Sequence, residues 1–187
     1  MTRVIAGIAG GRTLRTPPGA GTRPTSDRVR EAVFSALDAR DAVRGARVID
    51  LYAGSGALGL EAASRGASGV VAVESDRRAA EVISANARDL GLTGIRVVRG
   101  TVTAHLAPDP SADEAAHLVF LDPPYDLDEA ALAAVLGRLR AGWLAPGGLL
   151  VVERATRSPE PSWPDGISRA TKPRKYGETT IWYATRD

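Results

Sequence analysis

The chain of 187 residues reads as an α/β protein, with a mostly parallel sheet that closes on an antiparallel pair of strands. Three observations carry this. From residue 46 onward, short apolar runs alternate with amphipathic stretches, which implies parallel strands joined by right-handed crossover helices. A glycine-rich turn, Gly54-Ser55-Gly56-Ala57-Leu58-Gly59, lies between the first such run and the first such stretch. The last two strand-like runs, 167–171 and 179–184, have only a short turn between them, Lys172-Pro173-Arg174-Lys175-Tyr176-Gly177, so they pair antiparallel.

The elements follow in order. Thr2-Arg3-Val4-Ile5-Ala6 and Arg12-Thr13-Leu14-Arg15 flank Gly7, Gly10 and Gly11 and predict a small basic β-hairpin with its arginines outward. Pro17, Pro18, Gly19, Gly21 and Pro24 mark a loop. Thr25, Ser26 and Asp27 are N-cap residues, and Val29, Ala32, Val33, Ala36 and Leu37 recur with helical spacing, predicting a helix over 27–39. Strands are expected at 47–51, 69–74, 95–98, 117–121 and 148–153, and helices at 57–65, 77–90 and 128–140. Gly66 and Gly91 stand where the first two of those helices end. Residues 107–116, with Pro108 and Pro110, read as a loop.

Composition narrows the function. Apolar residues make up 44% of the chain, enough for a core. There is no cysteine, and His105 and His117 do not form a metal-ligand spacing, so neither a disulfide framework nor a metal site is expected. No apolar run reaches membrane-spanning length and no signal-peptide pattern is present, so a cytoplasmic protein is expected. The net charge is only +2 but is unevenly spread: +5 over residues 1–47, −6 over 48–153 and +3 over 154–187. A basic start and a basic end on an acidic body suggest a polyanionic partner. Arg3, Arg12, Arg15, Arg23, Arg28, Lys172, Arg174 and Lys175 are the candidate phosphate contacts.

The glycine turn satisfies the dinucleotide fingerprint G-x-G-x-x-G, with Glu74 following Gly54 by 20 residues at the end of the next strand. A nicotinamide dinucleotide is therefore one reading. Asp50, four residues before Gly54, opposes it, because a carboxylate beside the turn repels a pyrophosphate. S-adenosylmethionine has no phosphate and carries an ammonium and a sulfonium, so it suits Asp50, while Glu74 still accepts the ribose hydroxyls. Further on, Asp122-Pro123-Pro124-Tyr125 follows the strand His117–Leu121. It places a carboxylate, two stiff residues and an aromatic plate at a strand's carboxyl end, where ligands bind in open α/β sheets.

These segments carry a resemblance. Asp50-Leu51-Tyr52-Ala53-Gly54-Ser55-Gly56-Ala57-Leu58-Gly59-Leu60-Glu61 resembles the cofactor motif of class I methyltransferases, and Asp122-Pro123-Pro124-Tyr125 the [D/N/S]-P-P-[Y/F] motif of those that methylate exocyclic amines. Arg23-Pro24-Thr25-Ser26-Asp27-Arg28-Val29-Arg30-Glu31 is similar to a segment of the bacterial small-subunit 16S ribosomal RNA guanine-N2 methyltransferases. Gly10-Gly11-Arg12 and Lys175-Tyr176-Gly177-Glu178-Thr179 fit the same family, so the resemblance spans nearly the whole chain.

The resemblance implies a Rossmann-like fold with a seven-stranded sheet, an RNA-binding extension over 1–24 and a catalytic domain over 25–187. It implies S-adenosyl-L-methionine held by Asp50, Tyr52, Ala53, Gly54, Ser55, Gly56, Glu74, Ser75 and Thr101. Family members commonly carry an acid after the third strand to meet the adenine amino group; here Gly100-Thr101 stands in its place, so the Thr101 hydroxyl or the backbone takes that contact. The implied reaction uses Asp122 and the Pro123 carbonyl as acceptors for the two N–H groups of guanine N2, with Pro124 stiffening the turn and Tyr125 stacking on the base. The implied partner is 16S rRNA, in the small subunit or an assembly intermediate, and the implied state is a monomer. A DNA adenine-N6 or cytosine-N4 methyltransferase, a protein glutamine methyltransferase and a non-catalytic RNA-binding module on the same fold are the rival readings.

Overall fold

The structure is a computed structural model and describes residues 2–17 and 27–187. Arg23 and the N-cap candidates Thr25 and Ser26 lie outside them. Among the described residues five α-helices and eight strands follow one another: α1 (Asp27–Asp38), β1 (Arg47–Leu51), α2 (Ala57–Ser64), β2 (Gly69–Glu74), α3 (Arg77–Leu90), β3 (Ile95–Arg99), α4 (Val102–Leu106), β4 (Ala116–Leu121), α5 (Glu129–Arg138), β5 (Leu144–Ala155), β6 (Ile167–Arg169), β7 (Arg174–Tyr176) and β8 (Thr179–Arg186). A π-helical turn, Leu139–Trp143, joins α5 to β5.

The sheet order is β3-β2-β1-β4-β5-β8-β6, with β7 also on β8. Strands β1 to β5 pair in parallel, and β8 runs antiparallel to β5. The seven expected strand positions are present, and the edge position is filled by two pieces. β6 pairs with the end of β8 and β7 with its beginning. The edge is broken around Pro173, which has no N–H to give to a ladder. The segment expected as a simple turn, 172–177, therefore contains β7, and the tight turn is only Gly177-Glu178.

One face of the sheet packs α1 and α2 through Val29, Val33, Phe34, Leu37 and Ala62 against Val48, Phe120 and Val151. The other packs α4, α5 and Trp143 through Leu106, Leu132 and Leu136 against Ile49, Leu121 and Val152. The indole N–H of Trp143 donates to the carbonyls of Leu106 and Pro108, both at 3.2 Å, which ties down the loop after α4. Trp143 and Trp182 are buried, so they belong to the core and not to a stacking platform.

The N-terminal segment forms a short version of the expected hairpin: Arg3 and Thr13 pair in an antiparallel bridge, the Val4 N–H donates to the Arg12 carbonyl at 2.9 Å and the Leu14 N–H to the Thr2 carbonyl at 2.8 Å. The N–H groups of Ile5 and Ala6 go to the carboxylate of Glu61 on α2, at 2.7 and 3.0 Å, and not across a ladder. Ser64 accepts the Ala9 N–H and donates to the Ala6 carbonyl. Val4, Ala9 and Leu14 are buried against Leu60, Ala87 and Leu90. Buried Arg30 of α1 donates to the Arg3 carbonyl and to Asp27. The segment is thus an arm clasped on α1, α2 and α3.

Candidate active site

The sheet order reverses between β1 and β4, and the crevice at their carboxyl ends is the expected ligand position in such a sheet. The glycine loop leaves β1 there. Tyr52 has φ 61°, in the left-handed region that non-glycine residues enter only at a cost of about 1–2 kcal/mol, a feature concentrated at ligand sites. Gly54 follows at φ 57°, and the space a Cβ would occupy is open. A side chain there would both strain the turn and fill the crevice.

Glu74 ends β2 and faces the loop. One carboxylate oxygen accepts the Gly54 N–H and the other the Asp76 N–H, each at 2.8 Å. Ser75 is exposed next to it, with its hydroxyl 3.5 Å from Glu74. Asp50 is buried in β1, and its Oδ2 accepts the Gly59 N–H of α2 at 2.8 Å. Burial pushes its pKa up to about 8 against that hydrogen bond, and the nearby charges of Asp122 and Glu74 push it the same way. Three carboxyl groups therefore lie close together at the crevice, and a bound cation would favour the ionised form of Asp50. A pyrophosphate is disfavoured there, and a cationic group with ribose hydroxyls fits. Tyr52, Ala53, Gly54, Ser55 and Gly56, the residues expected around S-adenosylmethionine, form one turn beside Glu74.

The raised pKa has a consequence for stability. The folded state keeps a proton on Asp50 that the unfolded chain has lost above about pH 4. The contribution is full below that value and is lost as pH rises to about 8. Urea midpoints of the ligand-free protein are expected to fall across this window, and Asp50→Asn is expected to flatten that part of the slope. A slope identical in the variant would show that Asp50 is not the group responsible.

Thr101 caps α4, its Oγ1 accepting the Ala104 N–H at 3.1 Å, and Gly100 N–H bonds the Glu74 carbonyl, which sets Thr101 beside Glu74. Toward a ligand it can still offer its O–H proton and one lone pair. The sequence reading missed α4, because five residues are too few for a helical period to register. It also missed Asn86. This buried side chain bonds the backbone of Arg15 through both its oxygen and its nitrogen, and reaches the Ser55 carbonyl at 3.4 Å, tying the arm to the glycine loop.

Asp122 follows β4 and is half-buried; Pro123 is buried, Pro124 exposed, and Tyr125 is 52% exposed. The guanidinium of Arg157, another group the sequence reading did not single out, lies 5.9 Å from the Tyr125 ring centroid. Leu121 of β4 is level with Val152 of β5, Glu153–Ala155 with the start of β8, and that start with β7. Exposed Lys172, Arg174 and Lys175 therefore lie on the same edge of the sheet as Tyr125. Arg65 at the end of α2 pairs with Asp38 at the end of α1, so the two helices run the same way and exposed Arg28 also lies toward that edge.

The arm's arginines are placed differently. Arg12 donates to the carbonyls of Asp89 and Leu90 at the C-terminal end of α3. Arg15 pairs with Asp89 at 2.6 Å, and Arg3 lies 3.7 Å from Asp27. All three are exposed but engaged with protein groups.

The strand order, the glycine loop with its trailing acid and the Asp-Pro-Pro-Tyr turn at the switch point define a class I methyltransferase. The chain belongs to the family described as Conserved hypothetical protein 95, whose model matches residues 2–185. It is 37% identical to Ribosomal RNA small subunit methyltransferase D of Escherichia coli K12 over 87% of this chain and 79% of that protein. It is 34% identical to the protein of the same name from Haemophilus influenzae over 84% of this chain and 80% of that one. The solved structure of yhhF from Escherichia coli superposes with a TM-score of 0.86 at 34% identity, covering 100% of this chain and 98% of that one. The protein is an enzyme, a methyltransferase.

Proposed function

We propose that the enzyme methylates the exocyclic N2 amine of a guanine in 16S ribosomal RNA, with S-adenosyl-L-methionine as donor. The observation that carries this is the cluster of Asp50, Glu74 and Asp122 at one crevice, with Tyr125 exposed at its rim. The names of the relatives favour RNA of the small subunit over DNA or protein. We place the reaction in the cytoplasm and treat the enzyme as a monomer acting on the small subunit or a precursor of it.

S-adenosylmethionine, when bound, supplies an electrophilic methyl group on a sulfonium. Glu74 would hold its ribose hydroxyls, the Tyr52–Gly56 turn and Asp50 its cationic amino-acid portion, and Ser75 and Thr101 the adenine end. A guanine N2 is a poor nucleophile because its lone pair is delocalised into the ring. Asp122 accepts one N–H and the Pro123 carbonyl the other, which draws the nitrogen toward tetrahedral geometry and stabilises the positive charge that develops on it. The locked φ of proline fixes the direction of that carbonyl. Alignment supplies most of the remaining rate. The proton released from nitrogen passes to Asp122 or to water.

Tyr125 stacks on the base, which must be unpaired or flipped out to reach the crevice. A stacked base contributes about 1–3 kcal/mol. Arg28, Arg157, Lys172, Arg174 and Lys175 take the phosphates on the same edge, and Arg23 belongs to this set by its place in the family segment. Arg3, Arg12 and Arg15 are the weaker candidates, since each already meets a protein group.

Replacing Lys172, Arg174 and Lys175 together by alanine is expected to weaken binding to 16S rRNA. It should lower the slope of log affinity against log salt by about 2, at about 0.7–0.9 for each phosphate that is no longer neutralised. Filter binding across a salt series measures this. An unchanged slope would remove the β7 turn from the RNA surface.

A further inference from the structure

The Asp122–Asp128 loop needs a rigid support, because acceptors that align an amine must be held to within about 0.5 Å. That support comes from β5. Arg154 lies two residues beyond Val152, which is level with Leu121 at the end of β4. By strand alternation it shares the face of Val152, which packs against α5. Its side chain is only 5% exposed, and its guanidinium donates to the Leu127 carbonyl at 3.2 Å and to the Glu129 carboxylate. The Leu127 N–H in turn donates to the Pro124 carbonyl at 3.0 Å. A chain of hydrogen bonds thus runs from β5 through Arg154 and Leu127 into the Asp-Pro-Pro-Tyr turn itself.

Stability alone does not account for this arginine. Its Nε–H is buried and has no hydrogen-bond partner among the described residues, and a buried ion pair is often no more stable than an apolar replacement of similar volume. What the pair provides is geometry: both bonds leave one nitrogen, Nη2, and the rigid planar guanidinium fixes the angle between them, which a freely rotating ammonium does not.

We propose that Arg154 is a positioning residue for methyl transfer, fixing the Pro124–Tyr125 peptide and, through the stiff proline pair before it, the acceptors that hold the target amine. This rests on the amine-methylation reading given above. In the full chain, Arg154→Met is expected to lower kcat for methyl transfer to small-subunit particles by about 10- to 100-fold, the scale of a displacement near 1 Å. The affinity for S-adenosylmethionine and the KM for the particle should stay within about twofold. Arg154→Lys should recover part of the rate.

Exchange of the Leu127 amide hydrogen, read without substrate, is expected to quicken in Arg154→Met. Should that variant not fold, Glu129→Gln keeps the shape of the partner while removing its charge, and should show the same two effects more weakly. A lower melting temperature with wild-type kcat and wild-type Leu127 exchange would overturn the proposal. If the wild-type enzyme transfers no methyl to RNA, the reading of the reaction fails instead, and Leu127 exchange still decides whether Arg154 holds the loop.

Discussion

Asp122→Ala is expected to lose methyl transfer while keeping its cofactor affinity. In this account the carboxylate acts only on the nucleophile, accepting an N–H whose acidity grows as nitrogen becomes cationic. Removal of one such preorganised acceptor lowers kcat by about 10²- to 10³-fold, as loss of a single oxyanion-hole donor does in other enzymes. Cofactor binding is carried by the β1 and β2 ends, so its affinity should stay within about threefold. Asp122 also raises the pKa of Asp50, so its removal leaves Asp50 more readily ionised toward a cation, which offsets the lost charge. Asp122→Asn keeps an acceptor oxygen without the charge and should fall between the two. Single-turnover transfer from labelled donor and calorimetric titration of S-adenosylmethionine make the comparison. A wild-type rate in Asp122→Ala would refute the assigned role.

Gly7→Ala is expected to destabilise the protein by several kcal/mol, although residue 7 lies far from the crevice. Gly7 has φ 82°, and a Cβ there would come within 1.9 Å of the Ser64 carbonyl oxygen. That oxygen is backbone in α2, so the arm has to move away. Glu61 would then lose the N–H groups of Ile5 and Ala6 while remaining buried, bonded to Arg65 and near the charge of Arg30. Leaving a buried charge under-partnered costs about 3–5 kcal/mol, and re-exposing Val4 or Leu14 about 1.5–3 kcal/mol each. Urea unfolding measures the loss. A variant as stable as wild type would mean that the arm is not part of the folded core. Because Arg15 and Asn86 connect the arm to Ser55, the same variant should also weaken cofactor binding.

The contrast between these two positions marks what the sequence made legible. Asp122 declared itself because its meaning is local: a strand, then a carboxylate, then two prolines and an aromatic ring. The glycine loop and Glu74 were legible for the same reason, since their spacing is fixed by one strand, one turn and the next strand. Glu61, Arg30, Asn86 and Arg154 were not. Each is a polar residue within a helix or at a strand end, which by sequence reads as a solvated surface group. Each is buried because its partners arrive from 25 or more residues away, Glu61 from the arm and Arg154 from the Asp122 loop.

The N-terminal arginines have contacts that the sequence did not reveal. Their charge suggested a phosphate surface, but helix α3 ends where Arg12 can satisfy its carbonyls, an arrangement that net charge does not reveal. Strand β7 was hidden by Pro173 and Gly177, which are strong turn signals even though the three residues between them complete the edge of the sheet.

The most direct test is transfer of tritiated methyl from S-adenosylmethionine to small-subunit particles and to naked 16S rRNA from cells lacking this enzyme, followed by digestion and identification of the labelled nucleoside. The account predicts label in a single nucleoside, N2-methylguanosine, with Asp122→Ala transferring almost none. Label in N6-methyladenine, in N4-methylcytosine or in protein, or no transfer to either RNA form, would contradict it.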